Sequence, residues 1–121
     1  RLYDYDRNMP NRPLHVEKVI DTVNIPDDKN VGLDPVVEEK NGCIISTFVD
    51  IPGVFTSFRI QVEKEGTYEL PQFVFLFCID GEGEVNGVKV KKGETVFVPC
   101  DFGPLSIRGK LDFGAMTYKN V

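Results

Sequence analysis

The sequence has no tryptophan, a single histidine (His15) and three widely spaced cysteines among its 121 residues. One imidazole cannot build a multi-histidine metal centre, and a Ser-His-Asp triad would have no base to draw on besides His15. Ser46, Ser57 and Ser106 also lack the G-x-S-x-G surroundings of a hydrolase nucleophile. His15 therefore reads as a packing or surface residue. Cys43, Cys78 and Cys100 are odd in number and contain no C-x-x-C pair. That pattern argues against a disulfide framework and against a zinc knuckle. They read as reduced thiols of a cytoplasmic protein, each a small buried apolar residue. Basic residues are not in excess: 14 Lys and Arg stand against 19 Asp and Glu, a net charge of -5. Nucleic acid and anionic membrane surfaces are poor partners for such a chain, because both are bound through neutralised phosphates. The longest strongly apolar run, Phe73 to Ile79, is far too short to span a membrane. There is no signal-peptide pattern, internal repeat or low-complexity segment.

What is present describes an ordinary globular domain. Hydrophobic residues make up 41% and charged residues 27%, and nine Phe supply the large side chains. The length suits one core. Near the start, Arg1-Leu2-Tyr3-Asp4-Tyr5-Asp6-Arg7 alternates as a strand does, yet no turn precedes it. This suggests a piece of something longer. Val16, Val19, Ile20 and Val23 then follow at helical spacing, predicting a helix from about Pro13 to Val23 that stops before Pro26.

Beyond Asp34-Pro35 the chain reads as strands and turns. Cys43 to Asp50 is β-branched and alternating, and Pro52-Gly53 is a turn. Val54, Thr56, Phe58, Ile60 and Val62 share one face of the next strand. Gln72 to Ile79 is apolar throughout, the pattern of a strand buried on both faces. Asn86-Gly87 between Val85 and Val88 predicts a two-residue type I′ hairpin. Leu105 to Arg108 and Asp112 to Tyr118 flank an expected turn at Gly109-Lys110. Short strands at this spacing predict a mainly β fold, a jelly-roll barrel with one N-terminal helix. Phe73, Phe75, Phe77, Phe97 and Phe102 are candidates to fill its interior. Gly81-Glu82-Gly83 reads as a turn, with no helix behind it to form a phosphate loop. Glu38-Glu39 and Glu63/Glu65 read as solvated faces, and Lys89, Lys91 and Lys92 as protection of an edge strand.

The stretch Gly93-Glu94-Thr95-Val96-Phe97-Val98-Pro99 resembles the start of the second cupin motif, and Gly66 to Gly81 sits where the first motif falls. In metal-bearing cupins two His and a Glu in the first motif, and a later His in the second, hold the ion. The corresponding positions here fall around Gln72, Val74 and Pro104. Of these only Gln72 is even a weak ligand, so the resemblance implies a barrel without its own metal.

The N-terminal segment narrows the family. Arg1 to Arg7, followed by Arg12-Pro13-Leu14-His15-Val16-Glu17-Lys18-Val19-Ile20-Asp21, resembles the segment that leaves the catalytic barrel of type I mannose-6-phosphate isomerases in their short bacterial form. The tail Val96-Phe97-Val98-Pro99, Gly103-Pro104 and Ile107-Arg108-Gly109 is similar to that family's end. The resemblance implies an aldose–ketose isomerase of mannose 6-phosphate and fructose 6-phosphate, with zinc as Lewis acid. It implies that the zinc ligands lie in a preceding barrel and that no metal or cofactor is bound by this chain. Arg1 matches the arginine that reaches the active site, where a guanidinium can stabilise an enediolate-like transition state or hold the phosphate. Arg7 and Arg12 are expected to be structural or surface residues.

On this reading residues 1–35 are a strand, helix and linker leaving an absent catalytic cupin, and residues 36–121 are a metal-free C-terminal cupin that packs on it. The chain is then a capping barrel, inactive alone. The alternative is a stand-alone metal-free cupin that binds a small sugar or acts as an interaction module. Upstream sequence discriminates: a barrel carrying His and Glu ligands favours the isomerase, and an initiator Met close to Arg1 favours the module. A metal-dependent dioxygenase or epimerase is disfavoured by the missing histidines.

Overall fold

A computed structural model describes residues 2–3, 5–7, 10–27, 32 and 34–118 of the chain. They fall into two units, Arg1–Gly32 and Leu33–Val121.

In the first unit the helix is shorter than its periodicity predicts. α1 runs Val16–Thr22, with His15 at its N-cap and Val23 already extended. Pro13 lies before the helix rather than in its first turn, and the Thr22 hydroxyl folds back onto the Lys18 carbonyl at 2.8 Å. The expected strand over residues 1–7 does not form among the described residues. Tyr5 and Asp6 make a turn with φ of 52° and 55°.

The second unit is one eight-stranded antiparallel sheet: β1 (Val36–Lys40), β2 (Cys43–Ile51), β3 (Phe55–Val62), β4 (Glu65–Tyr68), β5 (Val74–Val85), β6 (Val88–Lys91), β7 (Thr95–Val98) and β8 (Leu105–Thr117). Its spine is the long pair β5–β8, running from Val74 opposite Thr117 to Val85 opposite Ile107. The order is β1-β2-β3-β8-β5-β6, with β4 on β8 and β7 on β5. β3 takes residues 111–117 of β8 and β4 takes 105–108, while β7 takes residues 74–77 of β5 and β6 takes 82–85.

Glycines let the spine bend where these partners change. Gly81 and Gly109 have φ of 87° and 107°, a region closed to most L side chains. A Cβ on Gly83 would sit 2.1 Å from the Arg108 carbonyl oxygen. The structure thus corrects two sequence expectations. Gly81-Glu82-Gly83 is not a turn but the closely approached middle of β5, and Gly109-Lys110 is a bend inside one continuous strand.

Two tight hairpins follow the Asn-Gly rule. Asn86-Gly87 has φ of 47° and 80°, as a type I′ turn requires, and the Asn86 side-chain oxygen accepts a hydrogen bond from the Ser106 amide. Asn41-Gly42 makes the matching turn between β1 and β2, with φ of 51° and 80°.

The inner faces of the strands gather into one hydrophobic cluster built around Phe113, Ile60, Leu76, Ile107 and Leu111, with Cys43 and Cys78 among its smaller members. Alternation along β3 is as expected, burying Thr56, Phe58, Ile60 and Val62. Val54 lies outside the strand and is exposed.

Candidate functional site

The sheet offers two places for function, its inner face and its outer face. On the inner face, the positions where a cupin metal site would gather its donors hold Gln72, half-buried before β5, the buried Val74 and the exposed Pro104. Val74, Leu76 and Cys78 point inward from β5, and Ala115, Phe113 and Leu111 from β8, so aliphatic and aromatic carbon fills the space. The polar side chains buried there are Thr56, which donates to Asp50 Oδ1 at 2.7 Å, and Thr117, which donates to the Phe73 carbonyl. Both hydroxyls are satisfied within the fold. Burial pushes the Cys43 and Cys78 thiols up, away from the thiolate form that binds metals. Among the described residues no three His, Cys, Asp or Glu side chains come together as a metal site needs, so this lining does not fit zinc.

His15 is exposed on α1. Arg1, the residue matched to a catalytic position, lies outside the described residues. Of the other two arginines in that segment, Arg7 stands 5.6 Å from the Tyr5 ring centroid and Arg12 is exposed. Glu38, Glu39, Glu63 and Glu65 are exposed, as solvated carboxylates should be. The lysines of β6 lie on an edge strand, with Lys89 in register with Glu84 and Lys91 with Glu82. Acidic register partners make this a mixed-charge surface and not a purely cationic one. Cys43 and Cys78 are buried as expected, but Cys100 is exposed.

The outer face departs most from expectation. Phe75, Phe77, Phe97 and Phe102 do not fill the interior. They lie exposed, with Phe73 half-buried; for Phe75 and Phe77 the cause is the two-residue period of β5, which points Val74, Leu76 and Cys78 inward instead. The apolar run of β5 is thus buried on one face only. Phe48, Ile79 and Met116 extend the same exposed surface around a shallow groove of about 680 Å³. Arg59 borders it, its guanidinium engaged by Asp112. This face was missed as a site in the sequence, although its signal was there: an apolar run with no polar alternation belongs to a strand covered on both sides.

No helix among the described residues is long and apolar enough to cross a membrane.

Comparison with known proteins agrees with this architecture. The chain is 27% identical to the probable mannose-6-phosphate isomerase GmuF of Bacillus subtilis, over 93% of this chain and 38% of that protein. It thus spans about two fifths of the length of that relative. The crystal structure of the Bacillus subtilis mannose 6-phosphate isomerase superposes with a TM-score of 0.78 at 25% identity, covering 96% of this chain and 39% of that one. The Salmonella typhimurium mannose 6-phosphate isomerase, solved with fructose 6-phosphate and zinc, shares the fold at a TM-score of 0.69 and 16% identity, covering 93% of this chain and 29% of that one. The family model of the mannose-6-phosphate isomerase cupin domain matches residues 44–116, from β2 through nearly all of β8, and the chain therefore belongs to that family.

Proposed function

We propose that this chain is the C-terminal part of a zinc-dependent isomerase that interconverts mannose 6-phosphate and fructose 6-phosphate. Within it the chain acts as a structural barrel, packing on and stabilising a catalytic barrel that holds the zinc. The observation that carries this reading is the pairing of two facts. The cupin of this chain matches the isomerase family, and its inner face is packed with carbon where a catalytic cupin would converge its donors. The chain also spans only 38% of GmuF, which leaves room in such a protein for a second barrel.

The reaction moves the carbon-bound proton from C2 to C1 of the sugar phosphate and the hydroxyl proton from O2 to O1, which shifts the carbonyl from C1 to C2 by way of an enediolate. Zinc, bound by residues outside this chain, supplies Lewis-acid stabilisation of the oxygens at those carbons. By its match to the family's arginine, Arg1 is the residue of this chain we assign to the substrate, its guanidinium holding either the developing negative charge or the phosphate. Such a protein belongs in the cytoplasm, where sugar phosphates are metabolised.

The test is an isomerase assay with mannose 6-phosphate and added zinc. The 121-residue chain should give no turnover and retain no stoichiometric zinc after dialysis, whereas the polypeptide from the complete reading frame should turn the substrate over and retain zinc. Turnover by the chain alone, or stoichiometric zinc or iron bound to it, would overturn the assignment.

A further inference from the structure

The outer face of β5, β7 and β8 has the wrong chemistry for a surface in water. Phe75, Phe77 and Met116 are 45, 47 and 53% exposed, and Phe97 is 56% exposed. They are not scattered. Phe97, Phe75 and Met116 are register partners across three adjacent strands, and the Phe75 and Phe97 ring centroids lie 5.0 Å apart. Phe77 lies opposite Gly114, whose missing side chain opens the groove beside it. With Phe48 and Ile79 the exposed apolar area is on the order of 500 Å², taking 150–250 Å² for a whole aromatic side chain. That is most of the roughly 800 Å² that one partner of a standard interface contributes.

We propose that this face seats the catalytic barrel of the same polypeptide, the part of the isomerase that this chain does not span. The inference rests on the reading given under Proposed function and deepens it by naming the docking surface. Three observations favour that occupant over a second copy of the chain. GmuF is long enough to hold another domain, since this chain spans only 38% of it. A tethered domain is presented at high effective concentration and needs no charge to steer it. Accordingly Arg59, the guanidinium that the described residues place on the groove, is neutralised by Asp112. A second copy would instead bring together two chains of net charge -5. Covering the face also gives β5 the two buried sides that its apolar sequence prescribes.

Thiol accessibility tests the proposal. In a Cys100→Ser background, Met116→Cys places a thiol in the centre of the face. Val88→Cys, at the exposed start of β6, serves as the reference. Maleimide labelling is followed in the polypeptide from the complete reading frame and in the 121-residue chain. In the chain both thiols should react at similar rates. In the complete polypeptide Met116→Cys should be slowed about tenfold or more relative to Val88→Cys, independently of protein concentration. Equal rates in the complete polypeptide would overturn the proposal. So would protection that disappears on dilution, the mark of a second copy, or a reading frame that encodes no second barrel. Isomerase activity of the same samples reports separately on function. Protection without activity sinks the enzymatic reading and leaves the interface standing, and activity without protection does the reverse.

Discussion

Asp112 on β8 grips Arg59 on β3 with both carboxylate oxygens: Arg59 Nε donates to Oδ1 at 2.7 Å, and Nη2 donates to Oδ2. The two are not register partners. Arg59 faces Gly114 and Asp112 faces Gln61, so the pair runs diagonally across the strands. Gly114 puts no side chain between Arg59 and Phe77, its neighbours on either side. The Asp112 side chain is 17% exposed, and its hydrogen bonds hold the guanidinium even more firmly charged than usual. Because Arg59 is 41% exposed, the pair should contribute only about 1 kcal/mol, less in high salt. A double-mutant cycle of Arg59→Met and Asp112→Asn, measured by urea unfolding, should return that coupling. A coupling of zero in low salt would show the pair to be ornamental.

Tyr68 makes stability depend on alkaline pH. Burial, with the charge of Glu38 adding to it, pushes its phenol far above the ordinary tyrosine range. The folded chain therefore keeps that proton to higher pH than the unfolded chain does. The resulting stabilisation is complete below about pH 10, where an unfolded tyrosine titrates, and is lost as pH rises beyond that. Tyr68→Phe keeps the ring that packs on Phe58, with centroids 5.9 Å apart, and removes the titration. Its unfolding free energy should fall less steeply than that of the parent above about pH 10. Identical alkaline slopes would refute the assignment to Tyr68.

Two glycines of one hairpin should respond differently to alanine. At Gly83 a Cβ would collide with the Arg108 carbonyl oxygen at 2.1 Å, and neither backbone can retreat without opening the spine. Gly83→Ala should cost roughly 3 kcal/mol, the upper end of overpacking penalties. At Gly87 a Cβ meets nothing within 4 Å, and only its positive φ of 80° resists. Gly87→Ala should cost about 1 kcal/mol. Thermal denaturation of both variants checks the order, and equal shifts in Tm would contradict the close approach of β5 and β8.

Phenylalanines on the two faces of the sheet should differ as sharply. Phe113 is fully buried, and Phe113→Ala should lose about 3–5 kcal/mol to the cavity it leaves. Phe77 is half-exposed on the outer face, and Phe77→Ser in the 121-residue chain should change stability by about 1 kcal/mol or less. A large loss from Phe77→Ser would mean that the outer face is already packed within the chain.

Local chemistry determined much of this molecule. Asn86-Gly87 specified its hairpin because few residue pairs accept two successive positive φ angles. The alternation of Thr56, Phe58, Ile60 and Val62 specified which side of β3 turns inward. The glycine-proline spacing from Gly93 to Pro99 was enough to suggest a cupin. Tertiary structure decided the rest. In sequence, Gly81, Gly83 and Gly109 are indistinguishable from turn residues. Only the pairing of β5 with β8 shows them as places where two backbones nearly touch. The diagonal reach of Arg59 to Asp112 joins residues 53 apart, a relation set by register and invisible to any local pattern. The phenylalanines of β5 had the composition of a barrel filling. Their parity relative to Val74 and Leu76 turned them outward, because a strand has two faces and the interior could take only one.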